Sequence, residues 1–192
     1  MRQSLSHHSE PVAQGIERGR FAGRAVRRFG VSAAIAGLCL SMAGCDGAMG
    51  GGQGLGPGSK APVIEAEGWL NGKPPVAADL AGKVVVVDAW AFWCGPCRRE
   101  ATHLVKVHDQ FKDRGVVFIG LTQEGEDAKY NSEQFLKQAG VTWPNGYGAI
   151  KTLSVFNNHY IPAVWVIGRD GNICWNTESA EPLEAALERA LK

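Results

Sequence analysis

A chain of 192 residues, 45% apolar and 20% charged, has room for one globular domain with appendages. Its net charge of +1 hides an asymmetry: residues 1–44 carry six Arg against two Glu, while residues 45–192 carry 14 Lys and Arg against 17 Asp and Glu. The basic excess belongs to the N-terminal segment, the body has no nucleic-acid footprint, and five cysteines are too few for a disulfide-stapled scaffold.

Arg18, Arg20, Arg24, Arg27 and Arg28 precede an uncharged run from Phe29 to Gly44. At 16 residues the run falls short of a membrane-spanning helix, which needs ~20. A basic region, a short apolar run and small residues at its end read as an export signal. The closing "SMAGC" resembles the lipobox of bacterial lipoproteins, with Met42 where Leu is usual. That resemblance implies that Cys45 is lipidated and becomes the mature N-terminus. It also implies a place in the bacterial cell envelope, with the domain facing the periplasm or extracytoplasmic side. From Gly47 to Gly58 seven of twelve residues are Gly, which suits a flexible tether with a reach of about 20 Å. The expected organisation is a leader at 1–44, a tether at 45–58 and a folded domain at 59–192.

Within the domain, "VIEAEGWLNGKPPV" (63–76) has an Asn-Gly turn between short extended pieces and predicts a hairpin. "KVVVVDAWA" (83–91) is an unbroken β-branched run that suits a strand buried on both faces. From Pro96 to about Arg114, Ala101, Leu104, Val105, His108 and Phe111 follow helical spacing, and Gly115 ends the helix. "VVFIGL" (116–121) predicts a second buried strand, and Glu126 to Ala139 a second helix. "VTWP" (141–144) predicts a short strand, and Ala149 to Phe156 a short helix. "AVWVIG" (163–168) and "ICW" (173–175) flank the turn "RDGN", and Glu181 to Leu191 closes the chain as a helix. The class is α/β, with a central mixed sheet flanked by helices.

Cys94 falls between the first buried strand and its helix, in "AWAFWCGPCRRE". Unpaired backbone N–H groups and the macrodipole at a helix N-terminus favour a thiolate there, the reactive form of cysteine. Cys97, three residues on, shares the helical face and can resolve a mixed disulfide formed by Cys94. Gly95 tolerates the tight entry, and Pro96 suits a first turn. Asp88, at the end of a buried strand, should have a raised pKa suited to proton transfer near neutrality.

"VVDAWAFWCGPC" resembles the active-site segment of thioredoxin-fold proteins, and Ile161-Pro162-Ala163 resembles their cis-proline segment. The leader, "LAGK" at 80–83, Glu100 and the segment 133–173 resemble the TlpA/ResA-like family of envelope-tethered thiol–disulfide oxidoreductases. The resemblance implies a thioredoxin-like fold, with the N-terminal hairpin and an inserted helical segment before the cis-Pro strand. It implies a redox-active disulfide between Cys94 and Cys97, with Asp88 as acid/base for Cys97 and Glu100 tied to thiol pKa control. Ile161, Trp93, Gly95 and Pro96 would contact substrate beside Pro162. Expected partners are protein disulfides, a membrane thiol electron donor, and the membrane itself through the lipid anchor; no metal or other cofactor is expected. Gly-Pro between the cysteines is the dipeptide of reducing thioredoxins, so the expected direction is disulfide reduction.

Zinc is the obvious rival for a CxxC. His103 and His108 lie five apart on the same helix, so one rigid segment could not wrap all four ligands around an ion. A thioredoxin-fold thiol peroxidase would place Pro and Thr or Ser where this chain has Val87 and Ala91. A redox-inactive binding lipoprotein would have no use for both cysteines. Cys174, in "NICWN", reads as a buried structural thiol, and Cys39 falls in the leader.

Overall fold

The computed structural model describes residues 54–156 and 159–192; Cys39, the lipidation candidate Cys45 and the leader lie outside them. The six strands are β1 (Gly68–Leu70), β2 (Val84–Ala89), β3 (Val116–Leu121), β4 (Asn145–Tyr147), β5 (Ala163–Ile167) and β6 (Ile173–Asn176). The helices are α1 (Ala77–Leu80), α2 (Gly95–Phe111), α3 (Lys129–Ala139), α4 (Ile150–Val155) and α5 (Leu183–Ala190). The strands form one mixed sheet in the order β1-β4-β3-β2-β5-β6.

The β-branched run becomes β2, with every residue buried. It pairs in parallel with β3 and antiparallel with β5, so Asp88 lies between Gly120 and Val164 and Ala89 between Leu121 and Ala163. Strand alternation sorts its side chains. Val84 and Val86 join Leu104, Val107 and Leu187 on one face; Val85, Val87 and Ala89 join Leu153, Phe156 and Trp165 on the other. By parity Asp88 shares the first face, which α2 covers through Cys97, Ala101 and Leu104. Burying a valine contributes about 2 kcal/mol, so this strand is the firmest part of the sheet. After β2 the chain is fixed by Trp90, whose ring stacks on Phe135 at 4.7 Å and whose Nε1 donates to Asn145 Oδ1 at 2.9 Å.

Three expectations need correction. Asn71-Gly72 does turn the chain, with φ of 55° and 151°, but the N-terminal hairpin does not form. Pro74 and Pro75 follow and lack the N–H groups a return strand would donate, so β1 pairs instead with β4. The strand expected at 141–144 lies at β4, beyond Pro144; Pro144 contributes its carbonyl to the Gly120 N–H at 3.0 Å. The domain also starts earlier than residue 59. Leu55 donates its N–H to Phe156 O at 2.8 Å and accepts from Trp165 Nε1 at 3.0 Å, while Gly58 N–H donates to Ile173 O at 2.8 Å. Partners on the sheet thus hold residues 55–58, the last part of the glycine-rich segment. Among the described residues no helix is long and apolar enough to cross a membrane.

Gly120 lies where β3 approaches β4 too closely for a side chain: an added Cβ would come within 2.6 Å of Asn145 Cγ and 2.9 Å of Trp90 Nε1. Gly120→Ala should therefore break the Trp90–Asn145 bond and lower stability by about 2–3 kcal/mol, read as a reduced urea midpoint.

Candidate functional site

The helix after β2 starts abruptly. Cys94 is extended at φ −78°, ψ 105° and forms the N-cap of α2, with Pro96 in the first turn. Its Sγ accepts the Cys97 N–H at 3.1 Å, one of the donors that a helix start leaves unpaired. The two cysteines are joined by a disulfide of 2.02 Å. Cys94 is 5% exposed and Cys97 1%, so Cys94 is the more accessible residue of the two. Gly95 and Pro96 between them are exposed. The Ile161-Pro162 peptide is cis, as expected. Because Ala163 pairs with Ala89, this segment lies at the end of the sheet from which the chain runs on to Cys94.

Asp88 is 6% exposed, and its Oδ1 has no hydrogen-bond partner. Burial, helped by the charge of Glu100, pushes its carboxyl up to about 8, as its sequence position leads one to expect. Glu100 itself turns towards His103: its Oε1 is 3.2 Å from His103 Nδ1, and Glu184 Oε1 of α5 is 3.0 Å from His103 Nε2. Partial burial disfavours the imidazolium, but bonds to Glu184 and Glu100 outweigh it and raise the His103 pKa. The i,i+3 spacing from Glu100 to His103 was readable in the sequence; the contribution of Glu184, from the far end of the chain, was not.

A groove of about 160 Å³ is lined by Trp90, Ala91 and Trp93, which precede Cys94 in the chain, and by Glu124, Tyr160 and Ile161 among others. Trp93 is 64% exposed and donates from Nε1 to Glu124 Oε1 at 2.9 Å, which holds the indole at the groove mouth. Glu124 was not singled out in the sequence, because no local spacing links it to Trp93. Tyr160 donates to Glu178 Oε1 at 3.0 Å. Cys174 is only half-buried, and burial raises its thiol pKa. His108 sits elsewhere, edge-on to Phe118 at 5.1 Å. Among the described residues no cluster could hold a metal ion.

A mixed sheet with flanking helices, a disulfide at a helix start and a cis-proline at the same end of the sheet define the class: a thioredoxin-fold dithiol–disulfide protein. The chain belongs to the AhpC/TSA family, which matches residues 57–176. It is 32% identical over 130 residues to the protein FixW of Rhizobium leguminosarum, covering 62% of this chain and 58% of that one. It is 26% identical over 124 residues to the thiol-disulfide oxidoreductase ResA of Bacillus cereus, covering 62% of this chain and 70% of that one. The chain thus spans little more than half of FixW's length. Among solved structures, a thioredoxin-family thiol:disulfide interchange protein from Chlorobium tepidum superposes with a TM-score of 0.60 at 26% identity, covering 71% of this chain and 97% of that one. The thioredoxin domain of a Bacteroides vulgatus thiol-disulfide oxidoreductase superposes with a TM-score of 0.62 at 22% identity, covering 72% and 99%, which bears on the fold. Family, fold and the cysteine pair liken the domain to thiol–disulfide oxidoreductases such as ResA.

Asp88 carries a pH-dependent cost. Its pKa is ~3.9 in an unfolded chain and about 8 in the fold, so the fold holds the proton more tightly. Stability is therefore full below the unfolded pKa and falls as pH rises from about 4 to 8. Asp88→Asn should stabilise the oxidised protein by on the order of 2 kcal/mol or more at pH 8 and by little near pH 4, measured by denaturation across that range.

Proposed function

We propose that this protein reduces protein disulfides outside the cytoplasm, anchored to a membrane by a lipid on Cys45. The observation that carries the proposal is the Cys94–Cys97 disulfide at the N-terminus of α2, with Asp88 buried on the same side of the sheet. The structure is the oxidised partner of the cycle. In the reduced protein Cys94, nearer the surface and facing the helix N-terminus, attacks a substrate disulfide as a thiolate. One substrate sulfur leaves as a thiolate, and the other remains joined to Cys94. Asp88 takes the proton of Cys97, whose sulfur then attacks Cys94 and releases the second substrate thiol. Asp88 returns its proton to a departing substrate sulfur and water protonates the other, so the substrate gains two electrons and two protons and the Cys94–Cys97 disulfide is restored. A membrane thiol donor then has to reduce it.

The supporting roles follow from position. An unpartnered Oδ1 with a pKa of about 8 can accept a proton near neutrality and give it back. Glu100 acts through its charge on Asp88. Gly95 and Pro96 lie exposed between the cysteines, and Trp93 and Ile161 line the groove where substrate backbone and apolar side chains would lie beside Pro162. No His stands between the cysteines to stabilise the Cys94 thiolate strongly, which favours reduction over oxidation. The peroxidase reading lacks its polar group, since Ala91 and Val87 are buried core residues. The leader, the lipobox-like "SMAGC" and the glycine-rich segment support the anchor and the placement outside the cytoplasm.

Cys97→Ser should trap substrates on Cys94 as mixed disulfides in cells, visible as adducts on non-reducing gels and lost in the Cys94→Ser, Cys97→Ser double variant. The purified protein with dithiothreitol should reduce insulin. Absence of both adducts and insulin reduction would refute the protein-disulfide role.

A further inference from the structure

Each nitrogen of the His103 ring meets a carboxylate oxygen. Nδ1 lies 3.2 Å from Glu100 Oε1, one turn earlier on α2, and Nε2 lies 3.0 Å from Glu184 Oε1, in the first turn of α5. An ionised carboxylate only accepts hydrogen bonds, while a neutral imidazole has one donor nitrogen and one acceptor. A neutral ring would therefore set a lone pair against a carboxylate oxygen on one side or the other. The imidazolium donates to both, so the geometry selects the charged form. Partial burial opposes that charge, yet the bonds to Glu184 and Glu100 raise the His103 pKa, and the His103 bond holds the Glu184 carboxyl below its usual range.

The other charged groups around the ring are exposed or engaged elsewhere. Arg99 and Lys106, about one turn to either side of His103 on α2, are exposed. On α5 and just before it, Glu188 is paired with Arg114 at 2.6 Å and Glu181 with Arg189. On β2 the titratable side chain is Asp88.

Glu100 connects this clasp to the proposed chemistry. It stands three residues after Cys97 on α2. After burial, its charge is the cause that lifts the Asp88 pKa to about 8. The series Asp88, Glu100, His103, Glu184 thus runs from a buried carboxyl with an unpartnered Oδ1 to a half-exposed cation between two acids. With the ring charged, the imidazolium offsets the Glu100 charge and Asp88 ionises more readily. With the ring neutral, the Glu100 charge acts on Asp88 unopposed, and Asp88 keeps its proton.

We propose that His103 is a positioning residue for the thiol–disulfide reaction: clasped as an imidazolium between Glu100 and Glu184, it offsets the charge of Glu100 and so governs how readily Asp88 takes the proton of Cys97. The proposal rests on the role given to Asp88 under the proposed function. It also widens the working range of the site. As pH falls the ring charges, which keeps Asp88 able to ionise; as pH rises the ring loses its proton, which lets Glu100 hold the proton on Asp88. The two titrations oppose each other, so Asp88 exchanges its proton over a broader span of pH than an isolated carboxyl.

The oxidised full chain isolates the effect, because neither Cys94 nor Cys97 titrates in the disulfide. The side-chain carboxyl carbon of Asp88 is followed by NMR against pH, with Asp88→Asn identifying its signal, and the His103 ring is followed in the same samples. His103→Gln keeps a hydrogen bond but cannot carry the charge. It should move the Asp88 midpoint up by about half a pH unit and sharpen the transition. In the reduced protein the same half unit should slow insulin reduction at pH 7 by about threefold. Glu184→Gln should act in the same direction. His103→Arg, which keeps a positive charge, should restore the wild-type midpoint and rate. Glu100→Gln should lower the midpoint, and in that background His103→Gln should leave it unmoved.

An Asp88 midpoint unaffected by His103→Gln overturns the proposal. So does a shift that persists in the absence of Glu100, or an arginine variant that behaves like the glutamine one; either would reduce His103 to a packing contact between α2 and α5. A His103 ring that titrates below about 6.5 would make the neutral form the working one, and equally overturns it. Failure of the wild type to reduce insulin would count against the proposed function, whereas failure of the NMR cycle in a protein that reduces insulin would count against His103 alone.

Discussion

The site depends on the burial of β2 on both faces. A strand enclosed by β3 and β5 cannot shift register by one residue without turning its valines from one core to the other. That constraint puts Asp88 on the α2 side, and it fixes where the chain leaves the sheet to reach Cys94. Trp90 then clamps the exit through Phe135 and Asn145. The cysteine pair is thus held by the most deeply packed part of the molecule, although its outer edge lies at the surface.

Two opposing fields meet at the proposed centre. The start of α2 offers unpaired N–H groups, which stabilise a negative sulfur at Cys94. The face of the sheet that α2 covers holds a carboxyl whose pKa burial raises to about 8, so that it can both take and release a proton close to neutrality. A thiolate is cheap on one side and an extra negative charge is costly on the other, so the two sulfurs of one disulfide have different environments. The His103 bridge between Glu100 and Glu184 adds a second layer, because it joins α2 to α5 and fixes the carboxylate whose charge reaches Asp88.

The chemistry was more legible in the sequence than the sheet edges. Cys94, Cys97, Asp88 and Ile161-Pro162 were readable because each is set by a local pattern: a buried run, a helix start, an X-Pro before a strand. The structure joins Cys94 to Cys97, puts Asp88 by parity on the face that α2 covers and places Ile161-Pro162 at the end of the sheet from which the chain runs on to Cys94. The edge strand β1 misled, because an Asn-Gly turn predicts a hairpin until the two prolines after it are counted as missing donors. Leu55 and Gly58, at the end of the glycine-rich segment, are held by Phe156, Trp165 and Ile173, far along the chain, and no local composition reports such partners. The contacts of Glu124 with Trp93 and of Glu184 with His103 were invisible for the same reason: each joins segments that no periodicity connects.

The central claim is that the Cys94–Cys97 couple gives electrons to substrate disulfides. Its reduction potential tests this most directly, by equilibrating the protein with thiol–disulfide buffers of known poise and reading the fraction oxidised. The account predicts a value near that of thioredoxin, about −270 mV, while a value near that of DsbA, about −120 mV, would make the protein an oxidant and contradict it.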